Sequence, residues 1–108
     1  MPLLEAPQSA IRLHGVVFDE VQRVQFCEST VRVATGYGFT GWCRDVMQPE
    51  VVEVVAESSN RKRLMNFLIY LQRGPMDAKV SIVEYRWEPA ENKMRKFCLS
   101  KSSADREQ

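Results

Sequence analysis

A chain of 108 residues is the size of one domain with room for a modest core. Its 44% hydrophobic and 27% charged content are ordinary for a globular protein, and 15 Lys and Arg against 14 Asp and Glu leave a formal charge of +1. That balance excludes a global field drawing the chain to nucleic acid or an anionic membrane, and no run of about 18 apolar residues would cross a bilayer. There is no secretory h-region at the start. The three cysteines, Cys27, Cys43 and Cys98, are odd in number and lack metal-ligand spacing. A cytoplasmic monomer with free thiols, no metal and no cofactor is the expectation.

Residues 1–9 contain Pro2 and Pro7 and no usable periodicity, which predicts a loose lead-in before a domain spanning residues 10–100. Ile11 to Phe18 alternates and then turns continuously apolar, as a central strand does. His14, the only histidine, reads as a half-exposed strand residue rather than a base, since no partner lies near it in sequence. From Phe26 the period becomes helical: Phe26, Thr30, Val33, Ala34 and Tyr37 share one face, and Gly36 and Gly38 end the helix. Phe39 to Val46 alternates as a strand with Phe39, Gly41, Cys43 and Asp45 on one face and Thr40, Trp42, Arg44 and Val46 on the other. Met47 to Glu50 makes a turn into the β-branched run Val51 to Glu57, giving a hairpin.

Ser58, Ser59 and Asn60 offer N-caps to a second helix whose stripe is Leu64, Phe67, Leu68 and Leu71, stopped by Gly74 and Pro75. Ala78 to Trp87 returns to strand character, Pro89 to Asn92 turns, and Met94 to Leu99 reads as a short edge strand. The polar residues 101–108 read as a disordered tail. This order predicts an α+β fold, a ferredoxin-like βαββαβ sandwich: an antiparallel sheet of four to five strands with two helices on one face.

The polar turn that closes the first strand and opens the first helix points backbone N–H groups and a partial positive charge at one spot, a ready anion site. Val21, Gln22, Val24 and Phe26 there, with Gly38, Gly41 and Trp42 further on, resemble the acylphosphatases, enzymes that hydrolyse carboxyl-phosphate bonds. Their signature reads Gly-x-Val-Gln-Gly-Val-x-Phe-Arg and, after a helix, Gly-Leu-x-Gly-Trp-Val-x-Asn. Phe67, Tyr70, Leu71, Gly74, Pro75, Ala78, Val80 and Val83 follow its later pattern, with Tyr70 in a tryptophan slot. Phe97 and Leu99 echo its terminal strand. The resemblance implies an anion-binding loop of Gln22, Arg23, Val24, Gln25, Phe26 and Cys27, and a phosphate or acyl-phosphate ligand.

The departures fall on the chemistry. The family's phosphate-gripping arginine falls on Cys27, its water-orienting asparagine on Asp45, and its two loop glycines on Asp19 and Arg23. Phosphoryl transfer needs positive charge on the equatorial oxygens and a positioned water, so losing both groups removes most of the implied machinery. Removing one such donor typically lowers the rate roughly a hundred- to a thousandfold. Arg23 is a candidate replacement cation, whereas Arg44 belongs to the opposite sheet face. Asp45 as a base for water repels the dianion it serves. If the loop required positive φ at residue 23, Arg there would add strain. Cys27 reads either as a reactive thiolate at a helix N-terminus or as a small residue filling a vacated slot; the second reading is preferred, since no histidine lies near it in sequence.

Three functions follow. The first is a catalytically inactive homologue acting as a binding or regulatory module for a protein partner, with Trp42 and Trp87 as contact surfaces. The alternative is a divergent acylphosphatase with weak residual activity. The third, a nucleic-acid binder, draws on Arg61, Lys62 and Arg63 at the start of the second helix. It is disfavoured, because the central strand Val51 to Glu57 carries no base-stacking aromatic.

Overall fold

The computed structural model describes residues 10–19, 23–46, 51–73 and 80–100. The expected lead-in, the turn at 47–50, the helix stop at Gly74 and Pro75, and the tail lie outside these residues, as do Glu20, Val21 and Gln22. The elements are β1 (Ile11–Asp19), α1 (Arg23–Tyr37), β2 (Thr40–Val46), β3 (Val51–Ser58), α2 (Arg61–Arg73), β4 (Val80–Pro89) and β5 (Phe97–Leu99). They form one sheet in the order β4-β1-β3-β2-β5, the expected two-helix sandwich. Among the described residues no helix is long and apolar enough to cross a membrane.

The sheet corrects the expectation in one respect. Pairs β1–β3, β1–β4 and β2–β3 are antiparallel, but β5 runs parallel to β2. Geometry forces this. The first four strands alternate so that β4 opposes both β1 and β2. A chain that leaves β4, reverses and settles on the far edge therefore runs as β2 does.

Alternation along each strand sorts the two faces. Leu13, Val17, Cys43, Val52, Val54 and Ala56 point inward and form one core with Phe26, Cys27 and Ala34 of α1 and Leu64, Phe67, Leu68 and Leu71 of α2. The α2 stripe is the one the sequence predicts. At its start Asn60 Oδ1 accepts the Arg63 N–H at 3.0 Å, an N-cap. On β4 the core-facing residues are Val83 and Trp87, while Glu84 is exposed.

The end of α1 is closed by a Schellman pair: the Gly38 N–H donates to Thr35 O at 3.0 Å and the Phe39 N–H to Ala34 O at 3.1 Å. Gly38 takes φ +82°, which an L side chain adopts rarely. Phe39 is therefore spent on the cap, and β2 begins one residue later than expected. Phe39 stacks on Tyr37 (5.0 Å) and meets Phe67 edge-on (5.3 Å), with Phe97 of β5 at 6.4 Å from Phe67.

Candidate functional site

The outward face of the sheet carries charge, arranged by the strand register. His14 Nε2 lies 2.6 Å from Glu53 Oε2, and Arg44 donates to Glu53 Oε1 through Nε at 2.9 Å. The partner that sequence proximity denied His14 comes from a neighbouring strand 39 residues away. Burial pushes the Glu53 carboxyl up, but hydrogen bonds from His14 and Arg44 outweigh it and hold the group below the usual carboxylate range. Arg44 also lies over the Trp42 ring at 5.1 Å, so it is committed to the face opposite Asp45.

Glu57 is almost fully buried on the same outward face. Its carboxylate accepts Arg12 Nε at 2.9 Å and the backbone N–H groups of Glu91 and Asn92 at 2.9 and 3.1 Å. This pins the connection after β4 across the sheet. Asn92 sits at φ +58°, a conformation that asparagine tolerates better than most residues. Sequence reasoning took Glu57 only as the last residue of the β-branched run. An acid at the end of an otherwise apolar stretch, Val54 to Ala56, was the available signal.

The N-terminal end of α1 is where the anion loop was expected. Arg23, Val24, Gln25, Phe26 and Cys27 form the opening of α1 itself, three residues ahead of the Phe26 start read from periodicity, while Gln22 lies outside the described residues. The correction has a local cause: no glycine or proline interrupts 23–27, so the helix extends back through them. Arg23 is helical, and the only described non-glycine residue with positive φ is Asn92. The strain envisaged for Arg23 does not arise.

Phe26 and Cys27 are both about 1% exposed. The expected stripe ran through Phe26, Thr30 and Ala34; Cys27 joins it because 27, 30 and 34 are also spaced by three and four. Cys27 Sγ lies 3.0 Å from Sγ of Cys43 on β2. Burial pushes the Cys43 thiol well up, reinforced by its contact with Cys27 and by the negative charge of Asp45. Asp45, half-buried, follows Cys43 on the same inward-facing side of β2. Cys27 and Asp45, which the resemblance set against the family's arginine and asparagine, thus both act on Cys43. Burial also raises the Tyr70 phenol. The Thr30 hydroxyl is near enough to temper that shift, yet neither hydroxyl has a hydrogen-bond partner among the described residues.

The other singled-out surfaces resolve into packing roles. Arg61 stacks over Trp87 at 4.8 Å, and Arg63 Nη1 donates to the Tyr37 carbonyl at 2.9 Å, near the C-terminal end of α1. Two of the three cations once weighed as a nucleic-acid patch are therefore committed. Trp42 borders an open, largely apolar depression of about 500 Å³ with Met94, Arg95, Lys96 and Cys98. Among the described residues no cluster of three or more His, Cys, Asp or Glu side chains is arranged to hold a metal ion.

This architecture has relatives. The acylphosphatase family model matches residues 13–99. The chain is 38% identical over 78 residues to an acylphosphatase from Dehalococcoides mccartyi strain CBDB1, covering 72% of this chain and 85% of that protein. It is 34% identical over 86 residues to one from Pyrobaculum arsenaticum, covering 80% and 90%. Among solved structures, an acylphosphatase from Coxiella burnetii superposes with a TM-score of 0.78 at 28% identity, covering 91% of this chain and all of that one.

Proposed function

This chain belongs to the acylphosphatase family, and we propose that it acts on acyl phosphates at the junction of α1 and β2, hydrolysing the carboxyl–phosphate bond at a much reduced rate. The observation that carries the reading is the family match over residues 13–99, which spans both the start of α1 and the strand bearing Asp45. The helix start supplies backbone N–H groups and a partial positive charge for the phosphoryl oxygens. Water attacks phosphorus, the bridging P–O bond breaks, and carboxylate and inorganic phosphate leave. The reduced rate follows from residues 27 and 45. A buried thiol replaces a guanidinium clamp, and a carboxylate replaces the amide that aims the water. Each loss is worth roughly a hundred- to a thousandfold, although the two do not simply multiply.

The assay is hydrolysis of benzoyl phosphate by purified protein against the buffer rate. Weak protein-dependent turnover is expected, at least tenfold higher in Cys27→Arg/Asp45→Asn, with circular dichroism confirming that the variant folds. A rate indistinguishable from buffer in both proteins sinks the reading.

A second reading is favoured by the burial of Cys27 within the core. A position whose side chain no longer reaches a ligand suits a module that binds phosphate or a protein partner without turnover. Phosphate-dependent amide shifts at Arg23 to Cys27 together with no hydrolysis would identify that case.

A further inference from the structure

We propose that Cys27 and Cys43 form a reversible disulfide between α1 and β2, closed by a small hydroperoxide and reopened by a thiol reductant. The two sulfurs are 3.0 Å apart, roughly 1 Å beyond bonding distance. Both sit on regular elements packed against each other in the core, so little chain rearrangement separates the dithiol from the bonded form. Cys98, the remaining cysteine, cannot compete. In the parallel register it neighbours Trp42, placing it on the outward side of the sheet, whereas Cys43 points inward.

The chemistry balances without further reagents. The Cys27 thiolate attacks one peroxide oxygen, breaking the O–O bond to give a sulfenic acid and releasing water or an alcohol. The Cys43 sulfur then displaces the sulfenic hydroxyl, forming the S–S bond; its proton leaves with that hydroxyl as a second molecule of water. Two thiols are oxidised by two electrons and one hydroperoxide is reduced. Burial raises the Cys43 thiol, which slows this second step, since its sulfur attacks only as it gives up its proton. Cys27 and Cys43 are about 1% and 0% exposed, so oxidation proceeds through local opening and is slow in the closed protein.

The test is independent of hydrolysis, since it reads mass. The full chain is treated with hydrogen peroxide, free thiols are alkylated under denaturing conditions, and the protein is weighed and digested with trypsin. The expected product takes one alkyl group, on Cys98, and is lighter by about 2 Da than the reduced protein apart from that group. Its digest contains peptide 24–32 joined to peptide 33–44, and dithiothreitol separates them. Cys98→Ser retains the link. Cys43→Ser loses it and accumulates a dimedone-reactive sulfenic acid at Cys27. Because the wild-type digest decides the matter, a misfolded variant does not obscure it. Absence of the 27–43 link at peroxide exposures that oxidise Cys98, or pairing of either residue with Cys98, overturns the proposal.

Discussion

Gly41 combines two demands that no other residue meets. Its φ is +145°, and a Cβ built there would come within 1.9 Å of the Val55 carbonyl oxygen on the paired strand. The obstacle is backbone, so no rotamer change relieves it. Gly41→Ala is expected to destabilise by about 3 kcal/mol or more, combining conformational strain with overpacking, as read by urea denaturation. An effect below about 1 kcal/mol would show that the hairpin opens freely. Glu53 sets a pH-dependent case. Its carboxyl pKa lies below the ordinary value in the folded protein, so the stabilisation is complete above the unfolded pKa and is lost as pH falls through the folded one. Glu53→Gln should cost about 1–2 kcal/mol at neutral pH, with the gap to wild type closing as pH falls below the ordinary glutamate range. A gap that persists at acid pH would assign the effect to packing.

At the scale of elements, what was legible was whatever local periodicity encodes. Leu64, Phe67, Leu68 and Leu71 announce the buried face of α2 by spacing alone, and all four are buried. Alternation likewise separates Cys43 and Asp45 from Trp42 and Arg44. What stayed hidden depends on elements meeting across the fold. Neither the contact of Cys27 with Cys43 nor that of His14 with Glu53 can be read from one element. The connection after β4 is the largest instance, since its position depends on Glu57, 34 residues before Glu91. Glu57 satisfies Arg12 and two backbone N–H groups while almost fully buried. Glu57→Ala leaves two amides without their acceptor and removes the most buried partner of Arg12, which keeps Glu91 at 3.2 Å and Glu88 at 3.8 Å. A loss of about 2–4 kcal/mol is expected, with fast hydrogen exchange at Glu91 and Asn92. Slow exchange at those amides in the variant would show that the connection is held by other contacts.

For the whole molecule, the family match recovers the architecture because acylphosphatase-like packing requires only apolar residues at the right spacing, and those survive here from Leu13 to Leu99. In the proposed reading the chemistry rests on residues 27 and 45, and the sandwich persists around them with the Cys27 side chain taken into the core. Global stability then becomes a reporter of whether the junction of α1 and β2 still accepts an anion. A ligand that binds only the folded state stabilises it by RT ln(1 + [L]/Kd), about 1.4 kcal/mol at ten times Kd. In a domain of this size that corresponds to a melting shift of several degrees. Inorganic phosphate should therefore raise the unfolding temperature, while chloride at matched ionic strength, which screens surface charges equally, should not. Asp45→Asn removes a negative charge beside the anion, so the same shift should appear at lower phosphate concentration. If phosphate and chloride act alike in both proteins, the helix start holds no anion, and the weak-hydrolase and phosphate-binding readings both lose their physical basis.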